Sequence, residues 1–219
     1  MLKKVLMHSL LFSFIFTSSK AQEKFDFKNA PQINRYFESL VKSLPKKTLD
    51  HPEFQLRLWF AVKPWTQGND SEGLLLITYK NKQWRANKIS FTNIKRIQEK
   101  NIITTSMKIK MLPLKSFDIA DQFKALKADG LFNAKTITGD QIYELAIKRG
   151  FNTNKGFPTV EDGFVFTFEL ISDKAKRTFQ SLYPKHFYDG TDKLIPELIP
   201  IIKIQDRLFN IAGITPGQF

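Results

Sequence analysis

Between Phe54 and Lys63 the chain alternates strictly. Phe54, Leu56, Leu58, Phe60 and Val62 hold one parity, and Gln55, Arg57, Trp59 and Lys63 hold the other. A period of two is the mark of a β-strand with one apolar face, because successive side chains leave a pleated strand on opposite sides. Pro64 stops the run. Residues 74–79 are apolar at both parities, which predicts a central strand. Lys80-Asn81-Lys82-Gln83 is a tight turn, since Asn tolerates a left-handed backbone, and residues 84–91 return as the partner strand. Ile103, Thr105, Met107, Ile109 and Met111 alternate again with Thr104, Ser106, Lys108 and Lys110, up to Pro113. Phe164, Phe166, Phe168 and Leu170 open a second hairpin, which turns at residues 171–174 and returns over 175–182. The gaps between these runs are too short for parallel crossovers, so the sheet is expected to be mostly antiparallel.

Helical spacing appears between the strands. Ile33, Phe37, Leu40, Val41 and Leu44 recur at three and four residues, behind Asn29 and Pro31 and ahead of Pro45. Ser116 precedes Phe117, Ala120, Phe123 and Leu126, and that helix gives way at Asp129-Gly130. Thr138 stands where an N-cap belongs, Ile142, Leu145 and Ala146 form a stripe, and Gly150 follows as a C-cap. Residues 192–211 form a last buried helix that stops at Gly213 and carries either a kink at Pro200 or a start near Pro196. Residues 92–101 are ambiguous, and 186–190, after Tyr183-Pro184, read as an aromatic connector. The expected fold is a single α+β domain over residues 22–219, with about four helices packed on hairpins. A division into two lobes near residue 113 stays open.

The first 21 residues stand apart. Lys3 and Lys4 precede an apolar run over residues 5–16, and Ser19-Lys20-Ala21 ends on small residues, the layout of a cleaved secretory signal peptide. The run is shorter than the ~20 residues of a membrane span, so the mature chain is not expected to span a membrane. Cleavage leaves 198 residues and takes away Lys3, Lys4 and Lys20, so a net charge of +13 falls to +10. That charge, placed outside the cytoplasm, points to an anionic glycan, a lipid headgroup or an acidic protein as partner and away from nucleic acid. The expected location is secreted or periplasmic.

Several chemistries lack their residues. There is no cysteine, so disulfides, thiolate metal sites and cysteine nucleophiles are excluded. There is no Gly-x-Ser-x-Gly elbow, phosphate loop, dinucleotide fingerprint or EF-hand loop, and no cofactor is expected. His51 and His186 lie too far apart in sequence to match zinc-ligand spacings, so no metal is expected. Glu161-Asp162 and Asp70 with Glu72 are the most noticeable acid pairs; a hydrolase of envelope or extracellular polymer would draw on such carboxylates or on a histidine. The best candidate binding surface is Arg57 and Trp59 with Trp84 and Arg85, where rings beside cations could stack on a sugar or hold an anionic group. The alternative for that group is burial of both tryptophans beneath a helix, with arginine stems packed over them. The leading expectation is a non-enzymatic binding domain. A hydrolase and a carrier with a Phe-lined interior for an apolar ligand are the other two.

Overall fold

Strand β1, Phe54–Ala61, lies near the middle of a six-stranded sheet, and every one of its described side chains from Phe54 to Phe60 is buried. The computed structural model describes residues 24–31, 35–48, 51–61, 70–94, 96–97, 102–103, 108–114, 119–159 and 165–214. The expected signal peptide lies outside these residues, as do Glu161 and Asp162. Antiparallel to β1 run β2, Asp70–Lys80, on one side and β7, Val165–Ser172, on the other. Beyond β2 come β3, Gln83–Ile94, and β6, Lys108–Pro113; beyond β7 comes β8, Lys176–Leu182. The order is β6-β3-β2-β1-β7-β8, antiparallel throughout, so segments from before and after residue 113 share one sheet.

The hairpin between β2 and β3 closes through Asn81 and Lys82, both left-handed at φ 50° and 61°, the turn whose twist matches that of paired strands. Of the strand expected over 103–111, residues 104–107 lie outside the described residues. Ile103 pairs with Arg96 between β5, Ile102–Ile103, and β4, Arg96–Ile97, while Ile109 pairs with Phe91 in the main sheet. The β3–β6 and β4–β5 ladders are one residue out of step.

Both faces of the sheet are covered. On one, α1, Arg35–Lys42, lays Leu40 and Val41, with Leu44 just past its end, over Trp59, Leu74, Leu76, Ile89 and Phe91. On the other, α2, Ile119–Ala128, and α5, Ile199–Ala212, cover Phe54, Leu56, Leu58, Leu75 and Ile77. That is why β2 is apolar at both parities: Leu74 and Leu76 meet α1, and Leu75 and Ile77 meet the opposite core. A third cluster joins α3, Gly139–Lys148, to α4, Pro184–Gly190, through Ile142, Ala146, Phe151 and Phe187.

The helix ends follow the local chemistry. Thr138 accepts the Gln141 N–H while the Gln141 side chain accepts the Thr138 N–H, a reciprocal capping box. Gly213 is left-handed at φ 61° and donates to Asn210, and Ile214 donates to Phe209, so the stop carries the paired bonds of a Schellman motif. Pro200 sits in the first turn of α5, behind a 3-10 turn at Pro196–Leu198, and no kink is needed. Residues 184–190 are helical rather than a connector. Pro184 occupies the first turn, and the buried Thr191 hydroxyl donates to the Phe187 carbonyl at 2.7 Å.

Gly73 stands opposite Phe60, whose ring lies across the glycine. A Cβ at Gly73 would come within 2.2 Å of that ring. Gly73→Ala is therefore expected to push Phe60 out of its buried position and to cost about 1–3 kcal/mol, the usual cost of overpacking a core. Urea melts of the variant and the parent measure it directly.

The sheet edges are managed differently. At β8 the backbone is taken up by Ala30, which exchanges bonds with Lys176 and Thr178, and by the Thr136 hydroxyl, which accepts the Gln180 N–H. At β6 the exposed Lys108 and Lys110 and the terminal Pro113 discourage further strand pairing.

Candidate functional site

The four residues singled out as a binding surface do not meet. Arg57, Trp59 and Arg85 project from the face that carries α1, since Arg57 stands opposite Leu76 and Arg85 opposite Thr78. Trp84 is the neighbour of Arg85 in β3 and so points the other way. It packs against Phe123 of α2 with ring centroids 4.4 Å apart and against Tyr79 at 4.9 Å. Trp59 is fully buried and stacks on Phe37 of α1 at 4.4 Å and 9° between planes. Neither ring is presented for stacking on a ligand.

Arg57 is buried too, and its surroundings are a closed polar network. Its Nε and Nη2 donate to Gln55 Oε1 at 3.0 and 2.7 Å, and its Nη1 lies 3.5 Å from Glu169 Oε2. Glu169 also accepts the Trp59 indole N–H at 2.9 Å and lies 3.4 Å from Lys176 Nζ, which in turn reaches Glu38 of α1 at 3.5 Å. Burial pulls the Arg57 pKa below its ordinary value, and the charge and hydrogen bonding of Glu169 oppose that shift. Every member has a partner, which is the condition under which a buried ion pair persists. This network fastens α1 to the sheet.

Arg85 is different. It is exposed and lines a cleft of about 390 Å³ on the same face, beside the β2–β3 turn. The walls bring Lys80 and Arg85 together with the amides of Asn81, Gln83 and Asn87 and the hydroxyls of Thr48 and Thr78; Pro52 and Met111 complete them. No carboxylate lines the cleft. Beside the cleft, Glu53 Oε1 accepts the Asn81 backbone N–H at 2.9 Å. The 3-10 turn Lys46–Thr48 is tied to the sheet through the Thr48 hydroxyl, 3.7 Å from Met111 Sδ. Two cations and five polar uncharged side chains in a concave site can hold an anionic group by charge-assisted hydrogen bonds while the amides fix its orientation.

Sequence reasoning reached Arg85 but missed its companions. The signal was present: a two-residue turn at 81–82 places Thr78 and Lys80 on the same face as Gln83, Arg85 and Asn87. Thr48 and Met111 arrive from distant segments, and no local pattern could have supplied them.

The acid and histidine candidates are not assembled into a site among the described residues. The Glu72 carboxylate accepts the Tyr36 hydroxyl at 3.1 Å. His51 and His186 are both exposed and carry no side-chain hydrogen bond or ion pair with any described residue. No cluster of three or more His, Asp or Glu able to hold a metal occurs among the described residues, and no described helix is long and apolar enough to cross a membrane. No protein-family model matches the chain, and no curated protein matches its sequence.

Proposed function

We propose that this is an exported, non-enzymatic binding protein whose polar cleft takes an anionic sugar unit of a cell-envelope or extracellular glycan. The observation that carries the reading is the composition of the cleft: Lys80 and Arg85 with three amides and two hydroxyls, and no lining carboxylate. A sugar acid matches that set, since its hydroxyls exchange hydrogen bonds with amides while its carboxylate or sulfate meets the cations. A lipid headgroup would bring acyl chains to a rim with little apolar surface, and an acidic protein would need a broader face than this concave one. Export rests on the layout of residues 1–21, and the charge of the remaining chain favours anionic partners at long range.

The test is a binding panel with the purified protein, using a sulfated or uronic-acid oligosaccharide and a neutral one of the same length. The acidic oligosaccharide should bind, with affinity falling as salt rises. Arg85→Glu should weaken it by roughly tenfold or more, because a hydrogen bond to a charged group is worth about 1.5–3 kcal/mol. Equal binding of the neutral sugar, or an Arg85→Glu variant that binds as the parent does, overturns the proposal.

A further inference from the structure

A second, larger cleft lies away from the sheet face that holds Arg85. Its volume is about 750 Å³, within the range of small-molecule sites. It runs between the end of α2, the segment before α3, α3 itself and the start of α5. Its apolar lining comes from Ala128, Ala134, Ile137, Leu145, Pro200 and Ile201.

The walls are held apart by fixed contacts. Arg149, just past α3, makes a two-pronged ion pair with Glu197 and donates to the Leu194 carbonyl at 2.7 Å. On the other side, Arg207 of α5 meets Asp129 at 3.0 Å and reaches Gln122 of α2 at 3.3 Å. The Arg149 hydrogen bonds hold the Glu197 carboxyl below its ordinary pKa. The same contacts neutralise two of the three acids that line the cleft. What remains is Lys135 and Lys148 against Glu144, and none of these three has an ion pair among the described residues. Glu144 and Lys148 lie one turn apart on α3 and offset each other's charge, which leaves Lys135, in the segment before α3, as the surplus cation.

We propose that this cleft binds a single-chain amphipathic carboxylate, its alkyl chain along the apolar lining and its head at Lys135 with Lys148 nearby. Both parts of the occupant follow from the walls: the apolar lining selects the chain, and the surplus cation at the rim selects the sign of the head. The site is separate from the polar cleft, so the two proposals stand or fall independently.

The experiment titrates the purified protein with decanoate, decylamine and decanol, each below its aggregation limit, by calorimetry and amide NMR. Decanoate should bind saturably at one site and at least fivefold more tightly than the amine, with shifts centred on residues 134–148. Lys135→Glu, a change at an exposed position, should remove that preference, and Lys135→Glu with Lys148→Glu should reverse it. Three results would overturn the proposal: no saturable binding of decanoate, amine binding as tight as carboxylate binding in the parent, or carboxylate affinity unchanged in the double variant.

Discussion

Glu169→Leu is expected to lower the stability of the folded protein by about 3–5 kcal/mol, the range seen when one partner of a buried ion pair is removed. Glu169 is almost fully buried and serves three donors at once: the Arg57 guanidinium, the Trp59 indole and Lys176. Lys176 keeps Glu38 and access to water, so it loses little. Arg57 is mostly shielded from water and keeps only Gln55, so its charge is left largely inside the protein with one neutral acceptor. The Trp59 N–H loses its acceptor as well, which adds part of the about 1–3 kcal/mol of an unsatisfied buried donor. A urea melt measures the loss. The double variant Arg57→Met, Glu169→Leu isolates the cause, because exchanging a whole buried pair for apolar residues of similar volume is often near neutral. It should recover most of the stability. A single variant within 1 kcal/mol of the parent would show that Glu169 does not hold Arg57 in place.

Phe54→Ala is expected to cost a similar about 3–5 kcal/mol, from the opposite face of the same sheet. The Phe54 ring is fully buried at the centre of an aromatic group. It stacks on Phe25 at 4.4 Å, meets Phe123 of α2 edge-on at 5.0 Å, and lies 6.3 Å from Phe27 and from Trp84. Its truncation opens a cavity bounded by a strand and a helix that cannot both close over it, and the lost transfer energy and the cavity term add. It also takes away the surface on which Phe25 anchors the N-terminal segment. The midpoint of a urea melt should fall with the slope unchanged. Phe54→Leu should recover more than half of the loss, since it refills most of the volume. A loss below 1 kcal/mol would contradict the packing described here.

The strands were legible because alternation depends on neighbours in sequence. Residues 54–60, the hairpin at 81–82 and the strand at 165–172 all follow from parity and turn chemistry, and the antiparallel hairpins follow from short spacing, whereas the β1–β7 pairing joins distant segments and was not legible. The capping box at Thr138 and the stop at Gly213 were equally local. Helix α4 was not legible, because seven residues give too few turns for a periodic stripe and its closing bond comes from Thr191, just past its end. The binding surface was half legible. Parity within one strand joined Arg57 to Trp59, but Trp84 and Arg85 are consecutive and must face apart. Nothing local said that α1 would lie over Trp59; that depends on Leu40, Val41 and Leu44 finding Leu74, Leu76 and Phe91 across the fold. Arg85 escapes burial because α1 covers other strand positions, and Thr48 and Met111 reach its cleft from separate segments.

The most direct measurement is an amide NMR titration of the purified protein with a uronic-acid oligosaccharide. Saturable shifts should centre on residues 78–87 and on Thr48, and should fade as salt is raised. Shifts confined to other parts of the molecule, or none that saturate, would contradict the assignment of this cleft as the anion site.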